Sequence, residues 1–135
     1  MHNKPVLGAE DAKQILAAAE AFARANQWSV SIAVVDDGGH MLGMIRLDGA
    51  SAMTARMAEA KARSAALGRR DTKIFEDILL GGRISFLTAP GLEGLLEGGL
   101  PVLVDGFVAG AVGVSGAKST EDAEVARQGI AAIVG

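Results

Sequence analysis

The side chains in this sequence that can do chemistry fall in three places. His40, one of two histidines, directly follows Gly38-Gly39. An imidazole there could work as an acid or base near neutral pH, or as an axial ligand to iron. It could equally be an exposed residue at a hairpin edge. Asp36, just before the same turn, is the nearby carboxylate able to move a proton. Arg46 and Asp48 form the second place. A guanidinium at a strand end could fork onto a ligand carboxylate, or clamp onto Asp48 for structure alone. The third is Ser115-Gly116 with Lys118, between an apolar run and a helical pattern. Free backbone N–H groups in such a turn could hold a carboxylate or phosphate. The spacing is neither a P-loop nor G-x-G-x-x-G, and a plain tight turn reads equally well. Lys61, mid-helix between Ala60 and Ala62, reads as a solvated lysine or as a further ligand contact. His2 lies in a terminal tail.

Other chemistries are excluded by what is missing. The sequence has no cysteine, so there is no disulfide framework, thiolate nucleophile or thiolate metal site. It has no H-x-E, H-E-x-x-H or other paired-histidine pattern, and a self-contained zinc site is not expected. There is no nucleophile elbow, and no two carboxylates form an evident acid/base couple, so spacing alone does not show an enzyme. A net charge of −3 argues against nucleic acid as the main partner, and one Trp with no Tyr leaves little for base stacking. No apolar run approaches a membrane span, and the N-terminus carries no apolar leader. The expectation is a cytoplasmic protein with no membrane partner.

The elements that must position these residues are legible from periodicity. The chain of 135 residues, half of them apolar, suits one domain over 1–135 with a real core. Ala9–Asn26 carries apolar residues at helical spacing. Trp28–Val35 alternates as a strand, Asp36-Asp37-Gly38-Gly39 is a turn, and His40–Leu47 is the return strand. Ser51–Leu67 is a second helix with an alanine stripe (Ala55, Ala58, Ala62, Ala65) that lets it sit close to a sheet or another helix, and Gly68 suits its C-cap. Thr72–Leu80 is a short third helix stopped by Gly81-Gly82. Arg83–Glu97 reads as a long loop with one turn of helix. Gly98–Gly116 is the central stretch. Its two apolar runs flank Asp105-Gly106, the strongest short-range hairpin signal, because both central turn residues need positive φ. Gly110 and Gly113 in the second run mark a bulge or a close approach by another backbone or a ligand. Ser119–Val134 is the last helix, with Ser119 and Asp122 spaced as a capping box.

Two hairpins can join into one antiparallel sheet with helices over its faces, an α+β fold. Pairing about Asp105-Gly106 brings Gly98-Gly99 beside Ser115-Gly116 at the hairpin's open end. This predicts a small-molecule pocket lined by Gly98, Gly99, Ser115, Gly116 and Arg46, joined by His40 and Lys61. The alternative is that these glycines serve only close strand packing. Surplus apolar surface, the alanine-rich second helix included, predicts a homo-oligomer with an even subunit number.

Together, VVDDGGHMLGMIRLDGA (Val34–Ala50), Ala60-Lys61-Ala62, Gly98-Gly99-Leu100-Pro101 and GAVGVSGA (Gly110–Ala117) followed by Asp122 resemble the GlcG/HbpS family, over about Leu7 to Ile133. The family includes haem-binding proteins of the HbpS type and the C-terminal domain of PduO-type proteins. The resemblance implies a profilin- or PAS-like antiparallel sheet flanked by helices, homo-oligomers, and binding of haem or a cobalamin-related cofactor. It makes His40 the candidate haem ligand, since the position after the Gly-Gly turn is often histidine in the family. Tyr and Cys, two common haem ligands, are missing. Two functions follow as expectations. One is an oligomeric small-molecule or haem-binding protein. The other is a tautomerase- or hydrolase-like enzyme on a carboxylate-bearing metabolite, with Arg46 holding the carboxylate, Ser115 and Gly116 donating from the backbone, and His40 or Asp36 moving a proton.

Overall fold

The computed structural model describes residues 1–134. In chain order it has α1 (Ala9–Ala25), β1 (Ser31–Asp36), β2 (Met41–Arg46), α2 (Ala52–Gly68), α3 (Thr72–Leu80), a 3-10 turn (Ile84–Thr88), β3 (Gly99–Val104), β4 (Phe107–Ser115) and α4 (Ser119–Ile130). The two hairpins join through β1 and β4 into one antiparallel sheet of order β2-β1-β4-β3. The α+β architecture expected from the sequence is the observed one. Asp105 (φ 51°) and Gly106 (φ 80°) both adopt the left-handed conformation that a two-residue hairpin turn requires.

Strand alternation sorts the core into two layers. Ile32, Val34, Val112, Val114, Leu100 and Val102 face α1 and α4, packing on Ile15, Ala19, Ala23, Val125 and Ala126. The opposite face is made of smaller residues. Ala33, Val35 and Ala111 meet Ala58, Ala62, Ala65 and Ala66 of α2. Ala58, Ala62 and Ala65 of the alanine stripe are thus spent on the sheet, while Ala55 is half-buried outside that contact. Gly113 shows how close the approach is. A β-carbon there would collide with the Ala58 carbonyl and lie 2.5 Å from the Ala62 nitrogen. The backbone of α2 therefore rests directly on β4, which accounts for a glycine in mid-strand.

Several boundaries differ from the sequence expectation: α4 ends at Ile130 instead of Val134, and β2 runs Met41–Arg46 instead of His40–Leu47. Trp28 to Val30 precede the ladder, though the Val30 carbonyl still accepts from the Leu47 N–H at 3.0 Å. Gly68 is the last residue of α2, and Arg69 takes the left-handed cap (φ 56°, ψ 39°). Gly68 is needed there because a side chain would strike the Phe75 ring. The α4 cap falls at Lys118, whose N–H donates to Glu121 Oε1 at 3.1 Å, and Asp122 turns inward instead.

Candidate functional site

The antiparallel order gives the sheet two ends with different contents. The β1–β2 turn and the β3–β4 turn lie together at one end, because Asp36 pairs with Gly110. Arg46, Ser115, Gly116, Gly98 and Gly99 lie at the other, where Ser31 pairs with Arg46 on one side and Ser115 on the other.

At the open end, Arg46, Ser31 and Ser115 form one cross-strand row, so their side chains share the face covered by α2. Ser31 is buried, and its hydroxyl is 2.8 Å from that of Thr54. Arg46 is exposed, and among the described residues no ion pair joins it to Asp48. Gly116 borders an open cleft of about 470 Å3 that also takes in Trp28, Ser29, Ser51, Thr54 and Glu121. Gly98 and Gly99 do not open onto it. Gly99 pairs with Gly113, and the Gly98 carbonyl accepts from the Val114 N–H at 3.0 Å. A β-carbon on Gly98 would come within 2.8 Å of Lys61 Nζ, and one on Gly99 would strike the Lys61 carbonyl. The space beside both glycines is filled by α2.

Lys61 is the largest fully buried side chain, with 2% of its surface exposed. Its ammonium donates to the Val114 carbonyl at 2.9 Å and lies 3.3 Å from Asp122 Oδ2. The other Asp122 oxygen accepts from the Ala117 N–H at 3.0 Å. Burial pushes the Asp122 carboxyl above its ordinary value, and Lys61 offsets only part of that rise. Lys61 is thus no solvated lysine. It ties α2 to β4 and α4 from within the sheet layer.

His40 stands at the turn end, its side chain 83% exposed, with Nδ1 3.3 Å from Asp36 Oδ1. That oxygen also accepts the N–H groups of Gly38 and His40, both at 2.9 Å, so Asp36 orders the turn. Five residue steps along β1 separate this end from Ser31, roughly 17 Å at strand rise. Within one chain, then, neither His40 nor Asp36 meets Arg46 and Ser115. The catalytic constellation expected for a carboxylate enzyme is not assembled. Pattern reading also passed over groups near the turn end. His2 stacks on Phe107 with ring centroids 5.8 Å apart, and Lys4 pairs with Asp37 at 2.6 Å. An apolar-polar alternation carries no sign of such terminal contacts.

A single sheet with α2 on one face and α1 and α4 on the other is shared with a known group of proteins. The chain belongs to the HbpS-like family, described as haem-degrading protein HbpS-like, whose pattern matches residues 7–131. Protein GlcG of Escherichia coli K12 is 51% identical over 115 residues, 85% of each chain. Among solved structures, Streptomyces reticuli HbpS, in a double-mutant form, superposes with a TM-score of 0.89 at 31% identity, covering 100% of this chain and 92% of that one. A PduOC–haem complex superposes with a TM-score of 0.86 at 26% identity, covering 96% of both chains.

Proposed function

We propose that this protein is a small-molecule-binding protein whose ligand is haem, held through His40. The observation that carries the proposal is the His40 imidazole, 83% exposed at the turn, with Nδ1 3.3 Å from Asp36 Oδ1. Its neighbour Met41 is also exposed and offers apolar surface beside it. A relative solved as a haem complex and the family description support the same ligand. When bound, haem supplies an iron centre whose properties are set by its axial ligand and its surroundings. His40 would hold the iron through a ring nitrogen, with the Asp36 carboxylate beside the ring.

We further propose a cytoplasmic homo-oligomer with an even subunit number. Among the described residues no helix is long and apolar enough to cross a membrane. Leu80, Ile84 and Leu87 are 78%, 69% and 67% exposed, an apolar surface that the chain itself does not cover.

Titration with haemin, followed in the Soret region, tests the ligand. A saturable shift is expected for wild type and for His2→Ala, and its loss or displacement for His40→Ala. An unshifted spectrum in wild type, or identical spectra in wild type and His40→Ala, rejects the proposal.

A further inference from the structure

A recess of about 230 Å3 lies at the turn end, between the N-terminal segment, the β3–β4 turn and the end of α2. Its apolar lining comes from Ala66, Phe107 and Val108, and its polar lining from His2, Lys4, Asp37 and Arg69. Lys4 and Asp37 neutralise each other at 2.6 Å. This contact holds the Asp37 carboxyl below its ordinary value. Arg69 has no such partner. Among the described residues no ion pair reaches it, while the adjacent Arg70 is occupied by the Gly68 carbonyl at 3.0 Å and the Phe75 ring at 5.4 Å.

The backbone at Arg69 makes that free guanidinium informative. Its φ of 56° and ψ of 39° are left-handed, at a helix cap where glycine has the least steric cost. A bulky non-glycine residue in that region invites a functional explanation. Here the long cationic side chain lines a recess beside the Phe107 ring, on which the His2 ring stacks 14° from parallel.

We propose that this recess binds a small monocarboxylate with a flat apolar body. Arg69 forks onto the carboxylate, and the body lies against Phe107 and Ala66. The proposal does not rest on haem binding, since His40 does not line the recess.

Benzoate is the probe, added to isotope-labelled protein and followed by backbone amide shifts, with benzamide as its uncharged isostere. Saturable shifts at Ala66–Arg69 and Gly106–Val108 are expected with millimolar benzoate, and weaker ones with benzamide. Arg69→Gly is expected to raise the benzoate Kd about tenfold or more. Its melting temperature should equal or exceed that of wild type, because the left-handed position gains a glycine. A merely structural arginine would not separate the two readouts in this way. Arg69→Gln, which keeps the β-carbon, is expected to weaken binding to a similar degree. No saturable shift, shifts centred elsewhere, or an unchanged Kd in either folded variant would overturn the proposal.

Discussion

Replacing Lys61 with methionine removes one charge from the interior and changes side-chain length little. The two charged side chains are 2% and 3% exposed and 3.3 Å apart. At an effective dielectric of about 20, that separation gives an attraction of about 5 kcal/mol. Desolvation costs several kcal/mol per ion, so the intact pair stands near balance against apolar residues. Removing one partner is different. In Lys61→Met, Asp122 stays buried with the Ala117 N–H as its remaining donor. The expected loss is about 3–5 kcal/mol, a large fraction of the about 5–15 kcal/mol that holds a typical domain folded. Urea unfolding of wild type, Lys61→Met, Asp122→Asn and the double variant measures it. The double variant should be less destabilised than the two single losses added together, because each single change strands the other group. The Lys61→Met deficit should also shrink in acid, where the stranded carboxyl takes up a proton. A deficit under about 1 kcal/mol at neutral pH, or one that does not shrink as pH falls, would refute the assignment.

In the intact protein, burial raises the Asp122 carboxyl pKa above the unfolded value of about 3.9. The folded state then binds more protons than the unfolded state in the window above that value, so this group's contribution is fully present below it and is lost as pH rises through the folded pKa. Wild type should therefore lose stability relative to Asp122→Asn across that window in pH-dependent unfolding, and a relative gain would contradict the burial argument. Asp37 and Glu124 are shifted downward and act in the opposite sense, but their partners are surface ion pairs that solvent screens. Gly113→Ala should cost about 1–3 kcal/mol or more in urea unfolding, because its β-carbon meets the α2 backbone and not a flexible side chain. At Gly106 an added β-carbon meets nothing within 4 Å, so Gly106→Ala should cost only the left-handed penalty of about 1–2 kcal/mol.

The second hairpin was legible because its signal is local. Asp105-Gly106 demands positive φ on its own account, and the flanking runs alternate wherever they end up. The alanine stripe of α2 was legible as a close-packing face, but not as one turned to the sheet instead of to another subunit. The glycines Gly98 and Gly99 carried both a pocket reading and a packing reading, and the deciding atoms belong to Lys61. The Lys61–Asp122 pair spans 61 positions of the chain. Helical periodicity around Lys61 says which side of α2 it occupies only once the sheet is known, and Asp122 at a helix start reads as a cap from sequence alone. Arg69 was hidden by its neighbour. A glycine at the end of a helical pattern draws the C-cap to itself, and only the Phe75 ring against Gly68 explains why the left-handed turn comes one residue later.

The residues expected to line one pocket fall at two ends of the sheet. The interior of the open end is closed: Gly98 and Gly99 admit the α2 backbone, and Lys61 and Asp122 lock α2 to α4 with their hydrogen-bonding groups engaged. A ligand there is confined to the outer cleft by Gly116, with Arg46 on the sheet edge and no imidazole near it. At the turn end the polar groups are exposed, and two of them stay chemically available: the His40 imidazole and the Arg69 guanidinium. α2 joins the two ends: Lys61 and the contact at Gly113 hold it on the sheet, and its last turn runs to Arg69 at the recess. Ligand chemistry in this chain is therefore expected at the hairpin turns, with the glycine-rich open end acting as the fixed frame.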